Sequence, residues 1–322
     1  MTPGESAGGP RIVAVVLNWN GGEETLQCLR SLRALGAASP LALLADNGSA
    51  DGSVEQALAE QPDLLVLRHG SNLGYAEGNN RALRHAFGAL RADWVCLLNS
   101  DVVVQPDTFR ALLAGARAVD TGGRPVGALG PCLYYKDRPQ VVWACGGRIG
   151  PQINVTQLLG HGGRAPQGAA RAPREVDYLP GACLMVSREA CERAGLLDES
   201  FFCYLEDADW CLRIREAGLA VVAVPDASAL HGLSSSTGGG YSAGRKYMTG
   251  VNSVHFLRKH GSLRGWVALF VFDVLLWPVA FLRGVLTGHG RAAVAKLAGV
   301  LAGLRGERVD ATVAARFARR LP

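Results

Sequence analysis

The run "LLNSDVVV", residues 97–104, contains an apolar strand that stops to place Asn99-Ser100-Asp101 before resuming as Val102-Val103-Val104. A carboxylate delivered by a strand tip is suited to holding a hard divalent cation. The same layout recurs upstream. "RIVAVVLNWN" ends in Asn18-Trp19-Asn20, "LALLA" runs into Asp46-Asn47-Gly48-Ser49, and "LLVLR" leads to Asn72. Ligands of open α/β sheets sit beyond the carboxyl ends of the strands, so these residues should line one edge. Asn and Asp without clustered Lys or Arg suit the hydroxyls and amides of sugars and bases. Phosphates bound there need a cation, and Asp101 offers the place for it. No GxGxxG follows the first strand and no GxxxxGKS occurs, which argues against dinucleotide and P-loop sites. Each residue also has a plainer role. Asp46-Asn47-Gly48 can be a tight turn with Asp51 or Ser53 capping the next helix, Asn72 to Asn80 a Gly-rich loop and helix cap, and Asp101 a turn cap.

A second constellation is "FFCYLEDADWCLRIREAG". Glu206, Asp207 and Asp209 open a helix, where the macrodipole favours carboxylates. That account suits an exposed Asp209, forming a surface pair with Arg213 four residues on. It explains less well why the aromatic run Phe201 to Leu205 leads into the acids. A carboxylate beside such a wall is a candidate general base with a tunable pKa. His231 ends a later strand in "ALHGLSSST" and stands before a Ser/Gly-rich stretch able to close over phosphates. A lone His is more often structural than a ligand.

The elements that carry these residues alternate. Short apolar strands and helical patterns, such as Leu26, Leu29, Leu32 and Leu35, imply βαβ units and a mostly parallel sheet over residues 11–125. Further helices are expected at "RALRHAFGAL" after the Asn72–Asn80 loop and at "PDTFRALLAGARA" after Asp101. Beyond Val126, "VGALGPCLYY", "VVWACGGRIG" and "VDYLPGACLMVS" read as strands of a mixed half reaching to about residue 240. Residues 1–10 read as disordered and 162–174 as a mobile loop. Eight cysteines occur without a CxxC pair, several inside apolar runs, and are expected as reduced thiols in a cytosolic protein without a secretory signal.

Charge is uneven. Phe256 to Pro322 holds 11 Lys/Arg against 3 Asp/Glu, while the preceding residues carry 22 basic and 25 acidic side chains. Such a basic tail points to nucleic acid or an anionic membrane. No basic stretch is interleaved with stacking aromatics, which argues against nucleic acid. The tail contains "GWVALFVFDVLLWPVAFL", Gly265 to Leu282, with Asp273 as its only charge. A spanning helix needs roughly 20 apolar residues. This stretch is shorter and carries Pro278, so an interfacial or re-entrant segment is expected, with a true span or a buried core helix as alternatives. Residues 241–322 are read as a helical membrane-associating region.

The ordered set "VVLNWNG", "DNGSADGS", "NLGYAEGNN", "LLNSD", "LPGACLMVSREA", "GLLDESFFCYLEDADWCLRIREAG" and His231 resembles the inverting family 2 glycosyltransferases of GT-A fold, Rossmann-like with a mostly parallel central sheet. It is most similar to the branch of bacterial rhamnosyltransferases, and the likeness runs from about Arg11 to Thr237. The resemblance implies a nucleotide-diphospho-sugar donor, with dTDP-rhamnose the first choice and other UDP- or GDP-sugars the alternative. It also implies a lipid-linked or polysaccharide acceptor of cell-wall type, and work on the inner face of the cell membrane. Asn18, Asn20, Asp46 and Asn47 would hold the nucleotide; Asn72, Gly74 and Asn79 would shape the diphosphate and sugar pocket, with Asn99 and Ser100 beside them. Asp101 and His231 would hold Mg²⁺ or Mn²⁺. Asp207 would be the base, with Glu206 next to it and Trp210 toward the acceptor. Asn99 stands where many members carry the first Asp of the metal motif and brings no charge. A sugar nucleotidyltransferase would favour a Gly/Arg/Lys-rich loop after the first strand, where "NWNGGEET" is acidic. A non-catalytic protein of this fold would have no need of Asp101, Asp207 and His231 together.

Overall fold

The computed structural model describes residues 9–150, 155–164, 171–232 and 242–318. The N-terminal eight residues, the centre of the 162–174 loop and the Ser/Gly-rich stretch after His231 lie outside the described residues. The chain order begins β1 (Ile12–Asn18), α1 (Gly22–Arg33), β2 (Leu41–Asp46), α2 (Ser53–Glu60), β3 (Leu65–Arg68), α3 (Gly74–Gly88), β4 (Trp94–Asn99), β5 (Val102–Val104) and α4 (Thr108–Ala118). It continues with β6 (Val126–Tyr135), β7 (Val142–Ala144), β8 (Gly147–Ile149), β9 (Thr156–Leu158), β10 (Arg174–Glu175), β11 (Cys183–Ser187), α5 (Arg188–Ala194), α6 (Glu206–Glu216) and β12 (Ala220–His231).

One sheet runs β10-β12-β6-β11-β4-β1-β2-β3, with β5 on β12 and β7 on β6. β3, β2, β1 and β4 are parallel, β11 is reversed between β4 and β6, and β6 and β12 are again parallel to each other. Helices cover both faces, which is why the strands read as unbroken apolar runs. In β1, Val13 and Val15 enter one core while Ala14 and Val16 enter the other. That alternation also governs what the end of β1 can present to a ligand.

Three expectations are corrected. Helix α3 begins at Gly74, so most of the Asn72–Asn80 segment is helix rather than loop; Asn80 is buried and exchanges hydrogen bonds with Leu197. Cys132 and Cys145 are joined in a disulfide, because the β6–β7 register, with Leu133 opposite Ala144, sets them across from one another. The other six cysteines are thiols. Asp209 is not an exposed helix-start acid but is fully buried.

The reason lies in the C-terminal helices: α7 (Ala243–His260), α8 (Leu263–Leu269), a π-turn segment (Phe270–Leu275), α9 (Trp277–Leu286), α10 (Gly290–Leu304) and α11 (Ala311–Ala318). Asp209 Oδ1 meets Lys259 Nζ and His260 Nε2, each at 2.7 Å, and its Oδ2 accepts from Arg213 Nε at 2.9 Å. The carboxylate thereby bolts α6 to α7. α7 in turn packs so closely on α10 that a methyl group on Gly299 would lie 2.1 Å from the Tyr247 carbonyl oxygen. The catalytic half and the tail thus share one core, whereas the sequence divided them near residue 240.

No single described helix is long and apolar enough to cross a membrane; Leu263–Leu275 and Trp277–Leu286 form a pair bent by 49°. Many of their side chains face outward, Leu263 at 80 % and Leu286 at 78 % exposure, which excludes the buried-core alternative.

Replacing Asp209 by Ala strips Lys259, Arg213 and His260 of their shared carboxylate in a buried setting and should cost about 3 kcal/mol of stability. Urea unfolding followed by tryptophan fluorescence measures this; a loss below about 1 kcal/mol, the value of a surface pair, would refute the buried-hub assignment.

Candidate active site

β-Strand alternation decides which residues of "LNWN" meet the site. Leu17 and Trp19 line a cavity of about 180 Å³ at the carboxyl edge of the sheet, together with Gly21, Glu24, Asn47, Asn72, Gly74, Tyr75, Asn99, Ser100 and Asp101. Phe202, Cys203, Tyr204, Met248 and Ala314 complete its wall. Asn18 points the other way. It is fully buried; its Nδ2 donates to Asp46, Ser49 and Ser53, and its Oδ1 accepts from Gly21 N and Thr25 Oγ1. Asp46 is occupied as well, accepting from Asn18 and from the Gly48 and Ser49 amides. Asn20, at φ 51°, binds the Ser49–Ala50 turn. Asn18 and Asp46 thus build the scaffold beneath this edge, while Asn20 lies exposed beside it, off the cavity.

Asn47, Asn72 and Gly74 do reach the cavity, and one knot holds them. Asn47 Nδ2 donates to Gly74 O at 2.9 Å, and Asn72 Oδ1 accepts from Gly74 N at 2.9 Å. Gly74 has φ 79°, and a Cβ there would stand 2.6 Å from the Phe202 ring and carbonyl. Only glycine fits both the angle and the space. Asn47 Oδ1 is buried with no hydrogen-bond partner and is available to a ligand. Asn79 lies off the cavity, its Nδ2 spent on Tyr75 O within α3.

Asp101 and His231 are brought together by antiparallel pairing of β5 with β12, Val102 opposite His231, and by Gly232 N donating to Asp101 O. Their side chains are 4 % and 7 % exposed, and His231 Nε2 lies 3.4 Å from Asp101 Oδ1 without hydrogen-bond alignment. Both carboxylate oxygens and both ring nitrogens are buried without a hydrogen bond. Buried polar groups left so are uncommon, and an oxygen–nitrogen pair of this kind fits a divalent cation. Among the described residues, no three His, Cys, Asp or Glu side chains form a ready ligand cage, so this pair alone would not complete a cation's shell. Trp143 packs on the His231 ring at 4.3 Å between centroids and fixes its plane. Glu24 stands nearby; burial raises its carboxyl, the Asp101 charge adds to this, and Lys136 and His231 oppose it.

Asp207 sits one layer behind the wall. Gly181 N donates to its Oδ2 at 2.9 Å and Ala208 N to its Oδ1 at 2.8 Å, while Tyr75 on the wall donates to Gly181 O at 2.6 Å. Burial raises the Asp207 pKa, and the backbone donors and Arg245 hold it back. Glu206 is raised much further by burial and then by the charge of Asp207, and its Oε2 has no hydrogen-bond partner. Of the two neighbouring acids, Asp207 accepts a backbone amide on each oxygen, while Glu206 Oε2 is buried without a hydrogen-bond partner. Trp210, expected toward the acceptor, is instead fully buried in the core with its Nε1 donating to Gly195 O.

The loop that delivers this pair holds Phe202, Tyr204 and Leu205 at positive φ of 56°, 76° and 71°. Each such residue costs on the order of 1–2 kcal/mol. Asn252 of α7 compensates, its Nδ2 donating to the carbonyls of Phe201, Cys203 and Tyr204 at 2.8–2.9 Å. Trp19, Glu24, Tyr75 and Asn252 were not singled out by sequence reasoning. Trp19 was findable from the two-residue alternation with Leu17; Asn252 had no local signal. Asn252→Leu, close in size, removes the side-chain donor shared by three carbonyls, of which Phe201 O keeps the Cys203 amide, and should destabilise by about 2–3 kcal/mol in urea unfolding. A change within about 0.5 kcal/mol would show that the loop holds its own shape.

Residues 10–248 match the family described as glycosyltransferase like family 2. An N-acetylglucosaminyl-diphospho-decaprenol L-rhamnosyltransferase of Mycobacterium tuberculosis is 34 % identical over 221 residues, 61 % of this chain and 67 % of the relative. The rhamnosyltransferase WbbL of Escherichia coli K12 is 26 % identical over 169 residues, 50 % of this chain and 62 % of its own. Among solved structures, the mannosyltransferase PcManGT of Pyrobaculum calidifontis, in complex with GDP-Man and Mn²⁺, superposes with TM-score 0.59 at 16 % identity, covering 94 % of this chain and 89 % of that one. The chain belongs to glycosyltransferase like family 2 and is a glycosyltransferase of GT-A fold.

Proposed function

We propose that the protein transfers L-rhamnose from dTDP-rhamnose, with inversion, to a hydroxyl of a lipid-linked or polysaccharide acceptor. The observation that carries the transfer site is the buried, unbonded Asp101–His231 pair, whose Asp101 lines the same cavity as the loop leading to Asp207. The choice of rhamnose and of a lipid-linked acceptor draws on the mycobacterial relative, whose name states both. Asp101 and His231 would hold a divalent cation, Mg²⁺ or Mn²⁺, which supplies charge compensation for the departing diphosphate. Trp19 offers an apolar face to a base, and Asn47 Oδ1 offers an acceptor for its amides or for ribose. The cavity is smaller than the roughly 300–1000 Å³ of sites that enclose drug-sized ligands, so part of a nucleotide sugar lies along the open edge.

Asp207 takes the proton of the acceptor hydroxyl as its oxygen attacks the anomeric carbon from the face opposite the leaving group. Its two backbone donors fix the carboxylate in place while leaving it partly exposed to an incoming hydroxyl. Burial and the charge of Asp207 raise the Glu206 pKa, which disfavours a second negative charge beside the base. The base works only when ionised, and its pKa is raised, so the acid limb of kcat against pH should lie above the usual aspartate value of about 4.

Release of the nucleoside diphosphate from dTDP-rhamnose and from UDP- and GDP-sugars, with and without Mn²⁺, tests the donor. dTDP-rhamnose should turn over fastest; preference for another sugar nucleotide would replace the donor, and silence with all would sink the transferase reading. Asp207→Asn should lower kcat by about 10²–10⁴ with donor affinity within about threefold of wild type. Lost donor binding would instead make Asp207 part of the scaffold.

We also propose that the bent helical pair lies on an anionic bilayer, on the cytoplasmic face of the cell membrane. Its outward Leu, Val and Phe side chains supply the apolar face and Arg264, Arg283 and Arg291 the charge. The protein should float with phosphatidylglycerol-containing vesicles in a sucrose gradient, and Phe270→Ser/Leu275→Ser/Val279→Ser should not. Wild-type protein left at the bottom would end the proposal.

A further inference from the structure

Asn99 lines the cavity without a charge, so Asp101 is the sole anion of the Asp101–His231 pair, yet one more carboxylate converges on it. Glu24, in the first turn of α1, lines the same cavity. A methyl group built on Gly232, the residue after His231, would stand 3.1 Å from Asp101 Cβ and 3.4 Å from Glu24 Oε1. The two side chains therefore both border Gly232 at the end of β12. Glu24 has no structural employment to explain its place. Its neighbour Glu23 pairs with Arg30 at 2.6 Å, whereas among the described residues the Glu24 carboxylate accepts no hydrogen bond and forms no ion pair. The nearby ammonium of Lys136 is held by Gln27 Oε1 at 2.5 Å instead. A helix-start acid present only for the macrodipole has no reason to face a cavity floored by another unbonded carboxylate.

We propose that Glu24 is the second anionic group of the cation site, taking the part that uncharged Asn99 leaves open. This rests on the cation reading of Asp101 and His231. No three ligating side chains among the described residues are gathered into a cage, so Glu24 would reach the ion by a change of its own side-chain rotamer or across one water. Hard divalent cations favour carboxylate oxygens, and a second carboxylate raises affinity by charge alone. A groove wall that carries its second acid on a helix start rather than on the strand tip also leaves Asn99 free to hydrogen-bond substrate with its amide.

Mn²⁺ binding to the full chain, read from loss of the free-ion EPR signal with and without dTDP, separates the possibilities without any turnover. Glu24→Gln should weaken Mn²⁺ binding by about tenfold or more, while Glu23→Gln, in the same helical turn, changes it less than about twofold. Asn99→Asp placed in the Glu24→Gln background should return the affinity to within about threefold of wild type, because the charge is restored on the same wall. Asp101→Asn should abolish specific binding. If Asp101→Asn binds as wild type, the cation reading fails and the proposal falls with it. If Asp101→Asn loses the ion while Glu24→Gln keeps wild-type affinity, or loses no more than Glu23→Gln, the proposal alone is overturned. Failure of Asn99→Asp to restore what Glu24→Gln removes would overturn the exchange of charge between the two positions.

Discussion

The pairing of β5 with β12 is the constraint on which the site depends. Three residues, Val102–Val104, turn back from the tip of β4 to pair with the end of a strand more than a hundred positions later in the chain. That short antiparallel ladder sets His231 against Asp101 and keeps water from both, so that a carboxylate and an imidazole face each other without hydrogen bonds. Burying such groups without partners costs each of them about 1–3 kcal/mol. The fold sustains that cost because the flanking strands are apolar on both faces, and a cation or a substrate group recovers it on binding.

A second long-range tie positions Asp207. The loop ahead of α6 is held in three unfavourable backbone conformations, and it reaches them only because α7 supplies Asn252 for its carbonyls. The same helix supplies Lys259 and His260 to the buried Asp209, two residues beyond Asp207. Phe202, at the crest of the loop, gives its carbonyl to the first turn of α3. The position of Asp207 is thus set jointly by the nucleotide half, through α3, and by the C-terminal helices, through α7. This is why a boundary drawn near residue 240 divides a unit that the packing joins.

Local pattern makes the alternating strands and helices, and the gathering of polar strand tips at one sheet edge, legible in the sequence alone. Continuous apolar runs ending in polar tips carry that information by themselves. The direction of side chains at the tips is not written there. Asn18 and Asp46 have the look of ligands but spend their polar atoms on each other, because they are direct partners in the β1–β2 register. Trp210 follows the acids in sequence, and the helical turn swings it a full face away into the core. The Asn252 contacts lie about fifty residues from their origin, and no sequence periodicity reports a hydrogen bond of that kind. Cys132 and Cys145 need the β6–β7 register before their opposition is visible.

Asp273 shows how the tail reconciles charge with an apolar surface. In the sequence it interrupts Gly265 to Leu282 and argues against a span. In the fold its carboxylate meets Lys296 of α10 at 2.5 Å, both side chains largely buried, and the π-turn around it widens the helix at that point. The acid therefore faces inward and anchors the bent pair to α10, while Phe270, Leu275 and Val279 face outward without a charge among them. α10 packs on α7, and α7 contributes Met248 to the cavity wall. The outward face is thus joined to the cavity wall both through α10 and by the direct packing of α8 on Leu257 of α7.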